Sequence, residues 1–134
     1  MQLTMQLSLA LLFTALLFGG MMLYSFAFAA FLFKTLPAEQ AGLLLRAAFP
    51  YFYAFVIVTA AIAALLHLGI DTVSEGLLLA VSLTCIPARQ QLMPAINRAT
   101  DAGETRLFKQ LHTLSVLLTL LHIAAVGYAL LRLV

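Results

Sequence analysis

Long apolar runs separated by short polar connections dominate the chain, and no charged residue precedes Lys34. The four apolar segments cover residues 5–33, 51–68, 73–97 and 105–133. As α-helices, all four are long enough to cross a hydrocarbon layer of about 30 Å, although the third is the most polar. The pattern therefore predicts an all-α fold, an integral membrane four-helix bundle that forms one domain over the whole chain.

The connections between these segments carry signals for helix starts. In the first connection, residues 35–50, Pro37 suits a first helical turn and apolar residues follow, which predicts a short helix lying at the membrane interface. Thr72 and Glu75 match the capping-box pattern at the start of the third helix. Asp101 begins a second cap-like sequence before the fourth helix.

Composition excludes a soluble or disordered chain, because 64% of the residues are hydrophobic and only 9% are charged. The net charge of +2 is small, so we expect no nucleic-acid partner and interpret the basic residues as topology signals. Those on the side of the first and third connections are Lys34, Arg46, Arg89, Arg98, Arg106 and Lys109. Only Arg132 lies on the other side. This bias predicts a multi-pass protein of the cell inner membrane, its partner the lipid bilayer, with both termini on the non-cytoplasmic side.

Small residues predict which helix faces pack together. Ala15 and Gly19 form a small-xxx-small pair next to Gly20 in the first helix, and Ala60 and Ala64 share a face of the second. We expect these faces to line the bundle interior. Since small residues also let separate chains approach closely, we further expect a homo-oligomer or assembly with other membrane subunits.

Polar side chains at membrane depth are candidates for a site. Arg89 either extends to the cytoplasmic headgroups or lines a cytoplasm-facing pocket with His112 at a similar depth. Cys85 shares a helix face with Arg89, and Ser115 shares one with His112. Such a pocket would prefer an anion, which makes a small organic-anion transporter one functional alternative.

Two other histidines allow a redox alternative. Counted from the cytoplasmic ends of their helices, His67 and His122 reach similar depths, so a shared haem or copper ion is geometrically allowed. A structural, hydrogen-bonded role is the other interpretation. Nothing in the sequence around these histidines demands such a site, so we expect no cofactor. All five acidic residues fall in connections and no catalytic motif is present, so we favour a non-enzymatic scaffold, binding or permeation subunit.

A set of landmarks distributed over nearly the whole chain resembles a known family. They are Pro37, Gly42, Pro50, Tyr53, Pro94, His112 and Ser115. In order and spacing they are similar to the transmembrane protein 205-like family, a bacterial membrane domain of unknown function, which is distantly similar to copper-resistance D-type membrane proteins. The resemblance implies a four-helix integral membrane protein without an established reaction, with the family's His-x-x-Ser pattern at His112 and Ser115.

Overall fold

Four helices form a closed ring in the computed structural model, which describes residues 1–134. They are α1 (Gln2–Thr35), α2 (Ala38–Leu66), α3 (Thr72–Pro87, continued by Ala88–Leu92 and Met93–Asp101) and α4 (Thr105–Leu131). Each helix packs on the next in the chain, and α4 returns to pack on α1. No strand is present. The predicted all-α four-helix bundle is confirmed.

Three of the helices, α1, α2 and α4, are long and apolar enough to cross a membrane. α3 is more polar, because Arg89 is followed by Gln90 and Gln91 in its middle. The outer surface of the bundle carries many large apolar side chains, from leucine and phenylalanine above all. An apolar surface of this extent suits a hydrocarbon environment rather than water.

Residues 38–50 form the first turns of α2 instead of a separate interfacial helix, and this corrects the prediction. The sequence predicts that the second helix starts at residue 51 and leaves Pro50 in the preceding connection. A proline inside a helix removes one backbone hydrogen bond. In the structure α2 continues through Pro50 without interruption. Ala41 is fully buried and Phe49 packs against the core, so packing of these first turns outweighs the cost of the proline.

One ion pair joins neighbouring helices at each end of the bundle. Arg132, directly after α4, binds both carboxylate oxygens of Asp71, at 2.7 and 2.8 Å. Arg46 on α2 binds both oxygens of Asp101, at 2.6 and 2.8 Å. We name the two ends of the bundle the Asp71 end and the Asp101 end.

The cap of α3 lies one residue earlier than predicted. Asp71, rather than Thr72, is the N-cap, and its carboxylate accepts hydrogen bonds from the backbone N–H and the hydroxyl of Ser74. α3 also continues beyond the predicted end at residue 97 to Asp101. Gly69 and Gly103 adopt positive φ angles in the tight turns before α3 and α4, a conformation that glycine adopts without steric penalty.

Candidate functional site

Two of the four helices depart from regular α geometry at one level, in the π-helical segments Leu23–Phe28 and Ala88–Leu92, and the uninterrupted α2 has Pro50 at the same level. We name this level the break layer. The ring of Tyr24 packs against Phe49 and Phe52, which places the first π segment beside Pro50. The hydrogen bond from Arg89 to the carbonyl of Pro50 places the second segment there too. Local π geometry occurs frequently at functional sites, which makes this level the candidate location of one.

The second π segment lies between two prolines. Pro87 precedes it and Pro94 follows it, and neither residue has a backbone N–H to donate to the helical ladder. A wider turn between them is a local solution to the interrupted hydrogen bonding. Arg89, the second residue of this segment, is thereby turned toward α2.

Arg89 contacts α2 through one atom. Its Nε donates a hydrogen bond to the backbone carbonyl of Pro50 at 3.1 Å, and the side chain is half-buried. Neither terminal nitrogen, Nη1 or Nη2, has a partner in the protein, and Arg89 forms no ion pair. Nη1 and Nη2, which form the free edge of the guanidinium and carry parallel N–H donors, can therefore bind a group outside the chain.

An aromatic and polar cluster fills the bundle interior at the break layer. Tyr24 stacks on Phe52 with ring centroids 5.0 Å apart, and Phe49 meets both rings edge-on. Next to them the hydroxyl of Tyr53, which is almost fully buried, lies 3.2 Å from that of Ser115. This contact joins α2 to α4 across the interior.

His122 belongs to a hydrogen-bonded chain between α4 and α3. The hydroxyl of Thr84 donates to the carbonyl of Ala80 at 2.6 Å, so it accepts from Nε2–H of His122 at 2.7 Å. Nδ1 of His122 is then an acceptor, and the thiol of Cys85 lies 3.4 Å from it. With Thr84 and Cys85 as partners, the imidazole has both ring nitrogens occupied.

The structure does not bring His67 and His122 together. His67 lies at the Asp71 end, where its Nδ1 is 2.7 Å from the carbonyl of Ala63 and its buried Nε2 has no partner. His122 lies ten residues before Arg132, about 15 Å deeper along the bundle. The prediction of a shared depth depends on a second helix that starts at residue 51; the true start at Ala38 displaces His67 toward the opposite end.

The predicted pocket of Arg89, His112, Ser115 and Cys85 is likewise divided. His112 is exposed on the outer face of α4, where its ring stacks on Phe108 at 5.4 Å. Ser115 and Cys85 point inward to Tyr53 and His122, whereas Arg89 points to α2. His112 and Arg89 therefore do not share a cavity.

The predicted packing residues separate into two groups. Ala60 and Ala64 are buried in the core and Gly20 is half-buried. Ala15 and Gly19, expected inside, are exposed on the outer face of α1. The buried face of α1 is formed by Ala10, Thr14, Leu17 and Met21. Leu17 and Met21 fill the interior at this level, which leaves the small pair pointing outward.

The remaining family landmarks lie at helix boundaries or breaks. Pro37 is the exposed residue directly before α2, and Gly42 is exposed in its first turns, where an added Cβ would meet no other atom. Pro50 and Pro94 belong to the two helices that meet at Arg89. The signal in the sequence that locates this level is the set of prolines at 50, 87 and 94, taken together.

Electrostatics at the two ends follow from the ion pairs. The Arg132 guanidinium and the Ser74 hydroxyl hold the pKa of Asp71 far below its usual range. The Arg46 guanidinium lowers the pKa of Asp101 in the same way. Both carboxylates are therefore ionised at neutral pH, and both ends of the bundle keep their ion pairs.

Comparison with known proteins gives one match. A family model described as a domain of unknown function, DUF4149, matches residues 12–105. The matched range includes the break layer of α1, α2 and α3 and ends at the first residue of α4. No curated protein matches the chain, and no solved structure does.

Proposed function

The chain belongs to the DUF4149 family, a domain of unknown function, and from that premise we propose that it is a non-enzymatic inner-membrane protein that crosses the bilayer four times and acts as a self-associating scaffold or binding subunit. The proposed fourth crossing is α3, which packs in the bundle between α2 and α4. The likeness to the transmembrane protein 205-like family, and more distantly to copper-resistance D-type proteins, belongs to this proposal; the family match does not include it.

The distribution of charge supports an orientation. Ionised side chains at the Asp71 end are few, whereas the Asp101 end carries most of the lysines and arginines of the chain. Basic connections remain on the cytoplasmic side of a bacterial inner membrane. We therefore place the Asp101 end in the cytoplasm and both termini on the opposite side.

The observation that carries self-association is the outward position of Ala15 and Gly19. Both are exposed, and a Cβ added at Gly19 would meet no atom of this chain within 4 Å. In a bilayer, lipid tails give little hydrophobic drive to helix association, so close backbone approach at small residues is a main source of stability. A second copy of α1 fits this requirement.

Disulfide crosslinking in native membranes tests this proposal. Cys85, the single native cysteine, is buried and is first replaced by alanine. Single cysteines are then introduced as Ala15→Cys and Gly19→Cys, with Ala124→Cys on the exposed face of α4 as the matched control. We expect an oxidant to produce covalent dimers from positions 15 and 19 but not from 124, because only the α1 faces meet.

If the cysteine variants at positions 15 and 19 yield only monomers, the result contradicts self-association through α1. Equal dimer yields from 124 would contradict it too, because they would indicate random collision in the membrane. Mixing epitope-tagged and untagged copies before oxidation, and recovering the heterodimer, identifies the partner as a second copy of this chain.

A further inference from the structure

Arg89 is the only lysine or arginine of the chain that is half-buried rather than exposed, and its guanidinium has no acidic partner. Arg46 and Arg132 are neutralised by Asp101 and Asp71 at the two ends. Arg89 uses Nε for the carbonyl of Pro50 and leaves both Nη groups without an acceptor in the protein. Because the bond through Nε fixes the direction of the guanidinium plane, the free edge is held at the seam between α2 and α3.

The depth of Arg89 follows from the membrane placement proposed above, on which this inference rests. Arg89 lies seventeen residues after Thr72, the first residue of α3, or about 25 Å along the helix from the Asp71 end. A hydrocarbon layer is about 30 Å thick. Arg89 therefore lies just inside the boundary between hydrocarbon and headgroups in the leaflet of the Asp101 end.

A neighbouring side chain agrees with this depth. Tyr51, next to Pro50, exposes 77% of its surface on the outside of the bundle. Tyrosines with an exposed ring are enriched at the level where headgroups meet hydrocarbon. The Arg89 contact with Pro50 puts the guanidinium at the same level as this ring.

We propose that Arg89 binds the phosphate of an anionic amphiphile, with the Nη groups at the phosphate oxygens and the apolar tail along the α2–α3 surface. A guanidinium matches the oxygens of a phosphate with two parallel N–H donors, whereas a lysine ammonium offers a point charge. The surplus of basic residues at the Asp101 end favours anions in the same leaflet. The phosphate source that fits this position is a phospholipid headgroup; free phosphate from the cytoplasm shares the chemistry but has no tail.

Native mass spectrometry of the full-length protein in detergent tests the site. Phosphatidylglycerol and phosphatidylcholine are titrated separately, and the phosphatidylglycerol series is repeated with millimolar inorganic phosphate. We expect a one-to-one adduct with phosphatidylglycerol. Arg89→Gln should weaken the affinity about tenfold, because a charge-assisted, bidentate hydrogen bond to the phosphate is lost. Arg89→Lys is expected to retain part of the affinity for phosphatidylglycerol, since lysine keeps the positive charge but lacks the two parallel N–H donors of the guanidinium.

The matched control is Arg98→Gln, which removes an exposed arginine on the same helix that forms no ion pair. We expect it to bind phosphatidylglycerol as the native chain does. Circular dichroism and size-exclusion profiles identify any variant that fails to fold, and Arg89→Lys then provides the comparison. Competition by inorganic phosphate would assign the site to a soluble anion with the same chemistry; no competition assigns it to a lipid.

Equal adducts in Arg89→Gln and the native chain would overturn the proposal, and so would an equal loss in Arg98→Gln. Phosphatidylcholine binding with the same affinity as phosphatidylglycerol would also overturn it, because the net charge of the amphiphile would then not matter. The crosslinking of α1 does not enter this measurement, so failure of the lipid site and failure of self-association are distinguished.

Discussion

At the scale of single residues, the bundle is joined by side chains that reach from one helix to the backbone or hydroxyl of another. The Ser82 hydroxyl donates to the carbonyl of Ile57 at 2.8 Å, and the Gln6 amide donates to the carbonyls of Leu66 and Leu68. In hydrocarbon no water competes for these groups. Each such bond nevertheless contributes modestly, on the order of 1 kcal/mol.

Removing the Thr84 hydroxyl tests one of these contacts. Thr84→Val keeps the side-chain shape but leaves Nε2–H of His122 without its acceptor at 2.7 Å. We expect the free energy of unfolding in detergent to fall by about 0.5–1.5 kcal/mol. Thr113→Val, at an exposed threonine of α4, is the control and should change stability by less than about 0.5 kcal/mol. Equal effects of both variants would show that the contact with His122 contributes nothing.

Gly20 allows a second test at this scale. A Cβ at Gly20 would lie 2.7 Å from two ring carbons of Phe55, so Gly20→Ala forces that ring to move. We expect a loss of about 1 kcal/mol from overpacking. Gly42→Ala, where a Cβ meets nothing within 4 Å, should instead stabilise the helix by about 0.5–1 kcal/mol. Thermal unfolding of the two variants in the same detergent gives shifts of opposite sign if this packing is correct.

At the scale of helices, the sequence predicts the number of elements better than their limits. Apolar periodicity and the polar turns at Gly69 and Gly103 locate all four helices. Their limits depend on packing: α2 continues through Pro50 because the turns before it contribute buried Ala41 and packed Phe49. A proline indicates a break in the hydrogen-bond ladder but does not say whether tertiary contacts will bridge it.

The candidate site, like the helices, is predicted only in part from the sequence. The sequence identifies Arg89 as the residue of interest, because an arginine inside a long apolar helix requires an explanation. It does not predict which residue Arg89 contacts, since the π turn between Pro87 and Pro94 rotates the following residues relative to a regular helix. The spacing of three residues places His112 and Ser115 on one face of α4 but does not say which edge of that face is buried; the structure turns Ser115 inward and leaves His112 exposed.

The ion pair that joins α3 to α4 leads to a prediction about pH. Arg132 lowers the pKa of Asp71 below its unfolded value, so the stabilisation is complete above about pH 4 and is lost as the pH falls through the lower, folded pKa. We expect the free energy of unfolding to decrease on acidification below pH 4, and Asp71→Asn to reduce this decrease. Unfolding followed by circular dichroism from pH 2 to pH 7 measures it.

Glu39→Gln is the control for this series, because Glu39 is exposed and forms no ion pair. Glu39→Gln should leave the acid-induced decrease in the free energy of unfolding unchanged. If Asp71→Asn and the native chain lose stability in parallel, the Asp71–Arg132 pair does not contribute to folding and the carboxylates elsewhere account for the dependence.

At the scale of the whole molecule, the proposals depend on the antiparallel ring of four helices being threaded through a bilayer. The two ion pairs then lie on opposite membrane faces, the outward Ala15 and Gly19 face lipid or a second copy, and Arg89 reaches the headgroups of one leaflet. The first and the last of these statements require α3 to cross, although α3 is the least apolar of the four helices. The crossing of α3 is the central claim.

Compartment-specific reporter fusions after residue 71 and after residue 101 measure this crossing most directly, because residue 71 directly precedes α3 and residue 101 ends it. Alkaline phosphatase is active only outside the cytoplasm and a fluorescent reporter matures only inside it. We predict phosphatase activity at position 71 and fluorescence at position 101. The same reporter active at both positions would place the two ends of α3 in one compartment and contradict the four-crossing arrangement.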